Sequence, residues 1–150
     1  MQKIKEITGV LLIPGEEATL CTIENTTSAI RKLLNIPFQA DCFFKENNVC
    51  ILRQESENKN RLPFNRAITN VDGVYDFFMK NDVITAINGP AFIVGKNGDT
   101  YCSLDKESAT KYLNRFYYPE HICLIKGIPF VLKDTEDLVN TLATAGRCPA

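Results

Sequence analysis

The sequence predicts a single α+β domain, residues 1–150, with about three helices packed on one face of a mixed or antiparallel sheet of hairpins. Apolar runs come in pairs around turn residues, which is the pattern of β-hairpins. Segments with helical periodicity separate these pairs, and hairpins alternating with single helices indicate an α+β domain. A chain of 150 residues has a common length for one domain, so no second domain is needed.

Three segments predict hairpins because a turn signal divides two apolar runs in each. In residues 9–25 the turn is Pro14-Gly15, in residues 40–55 it is Glu46, Asn47 and Asn48, and in residues 86–104 it is Asn97-Gly98. Residues 121–133, "HICLIKGIPFVLK", predict a strand or a fourth hairpin.

Helical spacing of apolar residues predicts the helices. Residues 25–36 place Ile30, Leu33 and Leu34 on one face, after an N-cap at Asn25, Thr26 or Thr27. Residues 105–116 begin at a predicted N-cap, Asp105, and residues 134–146 predict a closing helix that ends at Gly146. Residues 62–82 are interpreted as a short helical turn, a break at Asp72 and Gly73, and a further turn.

Composition and charge exclude several classes of function. The net charge of −1 argues against a protein that binds DNA or RNA, which would carry a basic surface. The six cysteines form no C-x-x-C pair and there is one histidine, so neither a metal nor another cofactor is expected. The apolar stretch "GVLLI" is too short for a signal peptide or a membrane span. The sequence therefore predicts a cytoplasmic protein with free thiols and no membrane contact.

Two segments, "RLPFNRAI" and "LNRFYYPEH", combine Asn-Arg with aromatic residues. Arginine binds phosphate or carboxylate, aromatic rings stack on bases, and asparagine can read a base edge, so the set suits a nucleotide. The alternative is structural, with Phe64 and Phe116 in the core and the arginines paired with surface acids such as Asp72 or Glu120. The predicted ligand-binding residues are Arg61, Phe64, Asn65, Arg66, Arg115, Tyr117 and Tyr118.

Catalysis is not predicted. His121 and Cys123 stand at alternate positions of a predicted strand and so share a face, but a partly exposed histidine beside a core cysteine is the more common arrangement. The carboxylates in "GEEA", "DKE" and "DTED" suit turns and first helical turns rather than acid-base pairs.

The chain carries the segments "GVLLIPGEEATLCTIENTTSAIRKLL", "LPFNRAI", "GPAFIVG" and "SLDKESATKYLNRF". They stand in the order and approximate spacing of an uncharacterised family of small proteins from phages, plasmids and conjugative elements of Gram-positive bacteria. The chain resembles this family over residues 9–117, and residues 118–150 extend beyond it. The positions that match the shared elements are Asn25, Leu62, Pro63, Asn65, Arg66, Phe92, Leu113, Arg115 and Phe116.

The resemblance implies a mobile-element origin but no reaction. Together with the residues above, it leaves three hypotheses. The first is a non-catalytic counter-defence protein that sequesters a small nucleotide-derived immune signal. Such a protein is expected to be a homo-oligomer, with an interface built from residues 117–134 because that segment is rich in apolar and aromatic residues. The second hypothesis is a protein-binding inhibitor of a host defence enzyme. The third, ranked last, is a small hydrolase that uses Cys123 or His121.

Overall fold

The computed structural model describes residues 5–35, 37–44, 46, 48–54, 62–70 and 77–134. Within these ranges most residues in regular elements are in β-strands, and none of the helices is long and apolar enough to cross a membrane. The elements in chain order are β1 (Glu6–Leu12), β2 (Thr19–Glu24), α1 (Thr27–Leu34), β3 (Phe38–Asp41), β4 (Val49–Gln54), β5 (Phe64–Thr69), β6 (Phe77–Met79), a 3-10 turn (Lys80–Asp82), β7 (Val83–Asn88), β8 (Ala91–Asn97), β9 (Thr100–Cys102), α2 (Lys106–Arg115), β10 (Glu120–Ile125) and β11 (Ile128–Lys133).

The main sheet has six antiparallel strands in the order β2-β1-β8-β4-β3, with β9 paired to the end of β8. The two faces of its central strands are both apolar, as expected for strands covered on each side. One face packs against α1 through Ile30 and Leu34. The other packs against α2 and against Ile68 and Ile87 of the β5–β7 pair.

A second sheet, in the order β10-β11-β6, lies beside the antiparallel β5–β7 pair. Ala67 of β5, Phe78 of β6 and Val131 of β11 form a small buried cluster, and Phe64 and Val83 pack on it. This cluster joins the second sheet to the β5–β7 pair, and thereby to the main core.

The predicted fold class is wrong. The described part of the chain is mostly β with two α-helices, and the helices lie on opposite faces of the main sheet rather than on one face. The third predicted helix, residues 134–146, falls outside the described residues apart from Asp134. In place of the helical turns predicted in residues 62–82, the described residues 62–70 and 77–82 form β5, β6 and a 3-10 turn at Lys80–Asp82. The predicted break at Asp72 and Gly73 falls outside the described residues.

An irregularity in β5 explains why the strand was missed. Its pairing with β7 shifts between Phe64 and Arg66, so that Asn65 sits at a β-bulge. A bulge changes the direction of neighbouring side chains, and here Asn65, Arg66, Ala67 and Ile68 are all buried. A half-buried strand is recognised in a sequence by alternating apolar and polar residues. That alternation is absent from β5, because its central residues are buried on both faces and two of them are polar.

The elements predicted from turn residues and helix N-caps are confirmed. The predicted hairpins β1–β2, β3–β4 and β8–β9 are present, and residues 121–133 lie in the hairpin β10–β11. Gly15 adopts a positive φ of 77° in the first turn. Thr26 and Asp105 are the N-caps of α1 and α2, each accepting a hydrogen bond from a backbone N–H of the first turn.

Candidate functional site

The two Asn-Arg segments meet in the interior of the protein. Nε of Arg66 in β5 donates to the carbonyl oxygen of Phe116, at the end of α2, over 3.0 Å. Nη2 of Arg115, the last residue of α2, donates to the carbonyl oxygen of Ala67 over 3.3 Å. Each segment therefore satisfies backbone acceptors of the other.

Arg66 is fully buried, and its acceptors are neutral. Besides Phe116, Nη1 donates to the carbonyl oxygen and to Oδ1 of Asn65 over 3.2 and 2.8 Å, and Nη2 donates to the carbonyl oxygen of Glu16 over 2.7 Å. Burial lowers the pKa of Arg66 to about 10, so the side chain is charged at neutral pH. The planar guanidinium is suited to this role because it donates in several fixed directions at once.

Asn65 ties the bulge in β5 to two other parts of the main core. Its Nδ2 donates to the carbonyl oxygens of Leu12, at the end of β1, and of Gly89, in the turn before β8, over 2.9 and 2.8 Å. Gly89 has a φ of +76°, and a Cβ there would lie 2.4 Å from Cδ1 of Leu62. Asn65 and Gly89 are thus required by the geometry of the turn, without reference to a ligand.

Arg115 forms an ion pair with Glu120 at the start of β10. Nη1 of Arg115 lies 3.3 Å from Oε2 of Glu120, and Oε1 accepts from the backbone N–H of Ala67 over 2.8 Å. The guanidinium also lies 4.9 Å from the ring centroid of Phe78 and 4.6 Å from that of Phe116. Burial raises the pKa of Glu120 even though Arg115 opposes this, so desolvation outweighs the attraction within the pair.

Lys133, at the end of β11, completes the group because its Nζ donates to the carbonyl oxygen of Arg115 over 3.3 Å. The side chain of Arg115 is 13% exposed and the other four are buried. We call these five side chains the buried polar cluster: Asn65, Arg66, Arg115, Glu120 and Lys133. The cluster connects β5, the end of α2 and the second sheet.

The other predicted site residues have different positions. Tyr117 and Tyr118 are exposed, with ring centroids 5.0 Å apart at 86°, and a hydrogen bond to the Glu17 carboxylate raises the pKa of Tyr117. Phe64 is half-buried against the small apolar cluster, and Arg61 lies outside the described residues. The structure brings the two segments together, but their contact is internal. Ligand binding by this set stays a prediction.

Sequence reasoning considered Glu120 only as a surface acid and did not consider Lys133. Both are buried, and they face each other across β10 and β11. Glu120 is two residues before Ile122 and Lys133 two residues after Val131, so alternation in each strand places them on the face of their apolar neighbours. Aligning the two predicted strands of the hairpin would have placed Glu120 opposite Lys133 on that apolar face.

The second sheet exposes large apolar side chains on both of its faces. The register places Ile122 and Leu124 on the face that also carries the buried Val131 and Phe78. The opposite face carries Phe77, Met79 and Ile128, together with the half-buried Phe130, whose ring lies 5.7 Å from that of Phe77. We call the exposed residues the second-sheet surface, and each is between 42% and 57% exposed: Phe77, Met79, Ile122, Leu124 and Ile128.

His121 is at the edge of the same sheet. Its Nε2 lies 3.0 Å from Oδ2 of Asp134, and both side chains are exposed, whereas Cys123 is buried. In the described ranges, no three His, Cys, Asp or Glu side chains come close enough together to hold a metal ion. The described residues give no geometry for a nucleophile-base pair.

The segment between β3 and β4 packs on α2. The carboxylate of Glu46 accepts hydrogen bonds from Nζ of Lys111 and from the Tyr112 hydroxyl, and the ring of Phe44 lies 4.6 Å from that of Tyr112. An open depression of about 550 Å³ lies along the same helix and is lined by Lys106, Glu107, Thr110 and Lys111. Side chains from one helix surface do not enclose a ligand, so we assign no site to this depression.

Glu46 is expected to make stability depend on pH in the acid range. Hydrogen bonds from Lys111 and Tyr112 lower its pKa from 4.5 to about 2. A carboxylate with a lowered pKa stabilises the fold above about pH 4.5, and this contribution is lost as the pH falls to about 2. Urea unfolding of wild type and Glu46→Gln should differ by up to about 1 kcal/mol at pH 7, because Glu46 is partly exposed, and should converge near pH 2. A difference that does not change with pH would contradict this.

A family model, described as a domain of unknown function (DUF3846), matches residues 7–117. The chain belongs to the DUF3846 family. No curated protein and no solved structure matches it. The predicted membership of an uncharacterised family agrees with this match, whereas a mobile-element origin stays a prediction.

The DUF3846 match includes only part of the buried polar cluster. Asn65, Arg66 and Arg115 lie within residues 7–117, whereas Glu120 and Lys133 lie beyond them. The second-sheet surface is also divided, since Phe77 and Met79 are inside the match and its other three residues are outside. Strands β10 and β11 are therefore an addition to the matched range that is joined to it by buried contacts.

Proposed function

We propose that this protein acts by binding another protein, without catalysis, and that the second-sheet surface is where the partner binds. The observation that carries the proposal is the exposure of five large apolar side chains on one small sheet. Clustered apolar exposure is costly in water and is typical of interaction sites, whereas single exposed residues such as Leu20 are ordinary.

The chemistry around these residues supports a protein partner. The central positions of β10 and β11, from Ile122 to Ile125 and from Ile128 to Leu132, carry no charged side chain. Depletion of charge with enrichment of aromatic residues is characteristic of the centre of protein interfaces. The net charge of −1 provides no strong field for a nucleic acid.

The arrangement also indicates how the partner binds. Leu124 and Ile128 flank the turn at Lys126-Gly127 and point to opposite faces of the hairpin. A partner that covers only one face would leave the other side chain in water. We therefore infer that the partner has an apolar groove that encloses the end of the β10–β11 hairpin.

The resemblance to mobile-element proteins suggests the biological setting. In that setting the protein is a cytoplasmic inhibitor that occupies a surface of a host defence enzyme. Binding through a hairpin that lies mostly beyond the DUF3846 match would allow related chains to have different partners.

The experiment compares two double variants with the same chemical change. Leu124→Glu with Ile128→Glu places charge on both faces of the hairpin, whereas Leu20→Glu with Ile84→Glu changes two equally exposed apolar residues on β2 and β7. Each tagged protein is expressed in a bacterial host, and the protein that co-purifies with it in a fixed ratio is quantified. Light scattering after size-exclusion chromatography measures self-association in the same samples.

We expect wild type and the Leu20/Ile84 variant to retain one partner in a fixed ratio, and the Leu124/Ile128 variant to lose it by at least 10-fold. The proposal is wrong if the Leu124/Ile128 variant retains the partner, or if both double variants lose it equally. Self-association of wild type that only the Leu124/Ile128 changes abolish would mean that the occupant is a second copy of the chain, a homo-oligomer.

The exposed Tyr117–Tyr118 pair favours a second candidate, capture of a small nucleotide-derived signal, because exposed rings stack on bases. Its phosphates would need cations other than Arg66 and Arg115, whose donors are used within the fold. A ligand at ~100 times its dissociation constant adds about 2.7 kcal/mol and raises the melting temperature by several degrees. Cyclic dinucleotides, cyclic trinucleotides and ADP-ribose derivatives should therefore be screened by their effect on the melting temperature. An increase that Tyr117→Ala abolishes would establish this candidate. If none of these compounds raises the melting temperature, they are excluded as ligands.

A further inference from the structure

We propose that Cys42 and Cys50 form a site of thiol–disulfide exchange, at which a small disulfide oxidant closes a cross-strand disulfide between β3 and β4. Both thiols are free in the structure. The inference is independent of the proposed protein partner, because it concerns the β3–β4 end of the main sheet and not the second sheet.

The strand register brings the two residues together. The antiparallel pairs between β3 and β4 run from Phe38 opposite Gln54 to Asp41 opposite Ile51. Cys42 directly follows β3 and Cys50 lies in β4 directly before Ile51, so the register places them opposite each other one position beyond the last pair. Residues opposite each other in an antiparallel pair have Cβ atoms about 4.5–5.5 Å apart, and a disulfide needs only a slightly closer approach.

The side chains also share a face. Oδ2 of Asp41 accepts from Nε of Arg53 over 2.6 Å, and the guanidinium of Arg53 lies 5.2 Å from the ring centroid of Phe43. Asp41 and Phe43 therefore both lie on the Arg53 face, and Cys42 between them points to the other face. Cys50 belongs to the core cluster on that other face, against which Ala40 packs.

The exchange balances without a metal or an electron carrier. Exposed Cys42 attacks the oxidant RSSR, forming a mixed disulfide and releasing one RSH. Buried Cys50 then gives up its proton and attacks the Cys42 sulfur, releasing the second RSH and leaving the Cys42–Cys50 disulfide. Burial, and secondarily the neighbouring Cys42, raise the pKa of Cys50 to about 11, so the second step is expected to be the slower one.

Closure would fix a segment that contacts α2. Residues 42–50 include Phe44 and Glu46, which contact Tyr112 and Lys111. A covalent bond between the ends of the segment restricts the unfolded chain and holds these contacts in place, which should raise the melting temperature.

The test uses the full chain and oxidised glutathione as the probe. Peptide mapping by mass spectrometry is expected to find Cys42 linked to Cys50, with loss of two hydrogen atoms from the intact protein and a melting temperature higher by several degrees. Cys102→Ser is the matched control, because Cys102 is also exposed but pairs with Gly95, on the face of Val49 rather than of Cys50. It should form the disulfide as wild type does.

Two variants keep the test decisive. Cys50→Ala should stop at a stable glutathione adduct on Cys42, and Cys42→Ser, which changes an exposed side chain, should form neither product. The proposal is overturned if wild-type Cys42 also stops at the adduct, or if Cys42 links to a cysteine other than Cys50. Absence of any reaction at Cys42 under conditions in which Cys102 reacts would overturn it as well.

Discussion

Arg66→Ala is expected to lower the free energy of unfolding by about 4 kcal/mol, an unusually large effect for one substitution. The change leaves the buried carbonyl oxygens of Phe116 and Glu16 without their donors, and each unpaired buried group costs ~1–3 kcal/mol. It also leaves a cavity, since Arg66 is the largest fully buried side chain among those described. Arg66→Lys should recover little, because an ammonium group cannot reach several carbonyls in one plane.

Urea unfolding at pH 7 measures this effect. Arg31→Ala is the control, because Arg31 is exposed on α1 and its removal should change the free energy of unfolding by no more than about 0.5 kcal/mol. A change below about 1 kcal/mol for Arg66→Ala, close to a surface effect, would mean that the buried guanidinium does not hold β5 to the end of α2.

Glu120→Ala is expected to cost about 3–5 kcal/mol, because it leaves the Arg115 charge buried without its partner. It also removes the acceptor of the Ala67 N–H. The second sheet would lose its polar connection to β5, so it should become more accessible to protease before the main sheet does.

A double-mutant cycle separates the interaction energy between Arg115 and Glu120 from the other destabilising effects of each substitution. Arg115→Met combined with Glu120→Ala should cost much less than the sum of the single changes, since no unpaired charge remains. Asp134→Ala, directly after β11, is the control, because the His121–Asp134 pair is exposed and should be worth at most about 1 kcal/mol. Additive costs for Arg115 and Glu120 would show that the two side chains do not act as a pair.

The elements that the sequence predicted correctly are those set by neighbouring residues. Pro14-Gly15 and Asn97-Gly98 define their turns, and Thr26 and Asp105 cap their helices, through contacts only a few residues apart. Such signals do not depend on the rest of the fold, so one sequence is enough to read them.

The elements that the sequence did not predict depend on distant contacts. Strand β5 is stabilised by hydrogen bonds from Asn65 and Arg66 to Leu12, Glu16 and Phe116, which lie about 50 residues away in the chain. Polar residues at successive positions normally indicate a loop, and here the β-bulge turns them inward. The arginine clusters were interpreted as ligand-binding for a related reason. Most acceptors of Arg66, and one acceptor of Arg115, are backbone carbonyl oxygens, which leave no signal in the sequence.

The buried polar cluster and the second-sheet surface have separate roles. The cluster holds the second sheet on the core, and the exposed surface is the binding site that we propose for a partner. Loss of partner capture with the free energy of unfolding unchanged is therefore expected only for surface changes such as Leu124→Glu with Ile128→Glu. Changes at Arg66 or Glu120 should reduce capture only in proportion to unfolding.

Hydrogen exchange at the Arg66 side chain tests most directly whether this arginine is an internal support or an open ligand-binding group. In an NMR spectrum of the protein without ligand, the Nε–H of Arg66 should exchange far more slowly than that of exposed Arg31, because it is buried and donates to the Phe116 carbonyl. Equal exchange rates for the two arginines would show that the Arg66 guanidinium is open to solvent, and would contradict the structural role assigned to it.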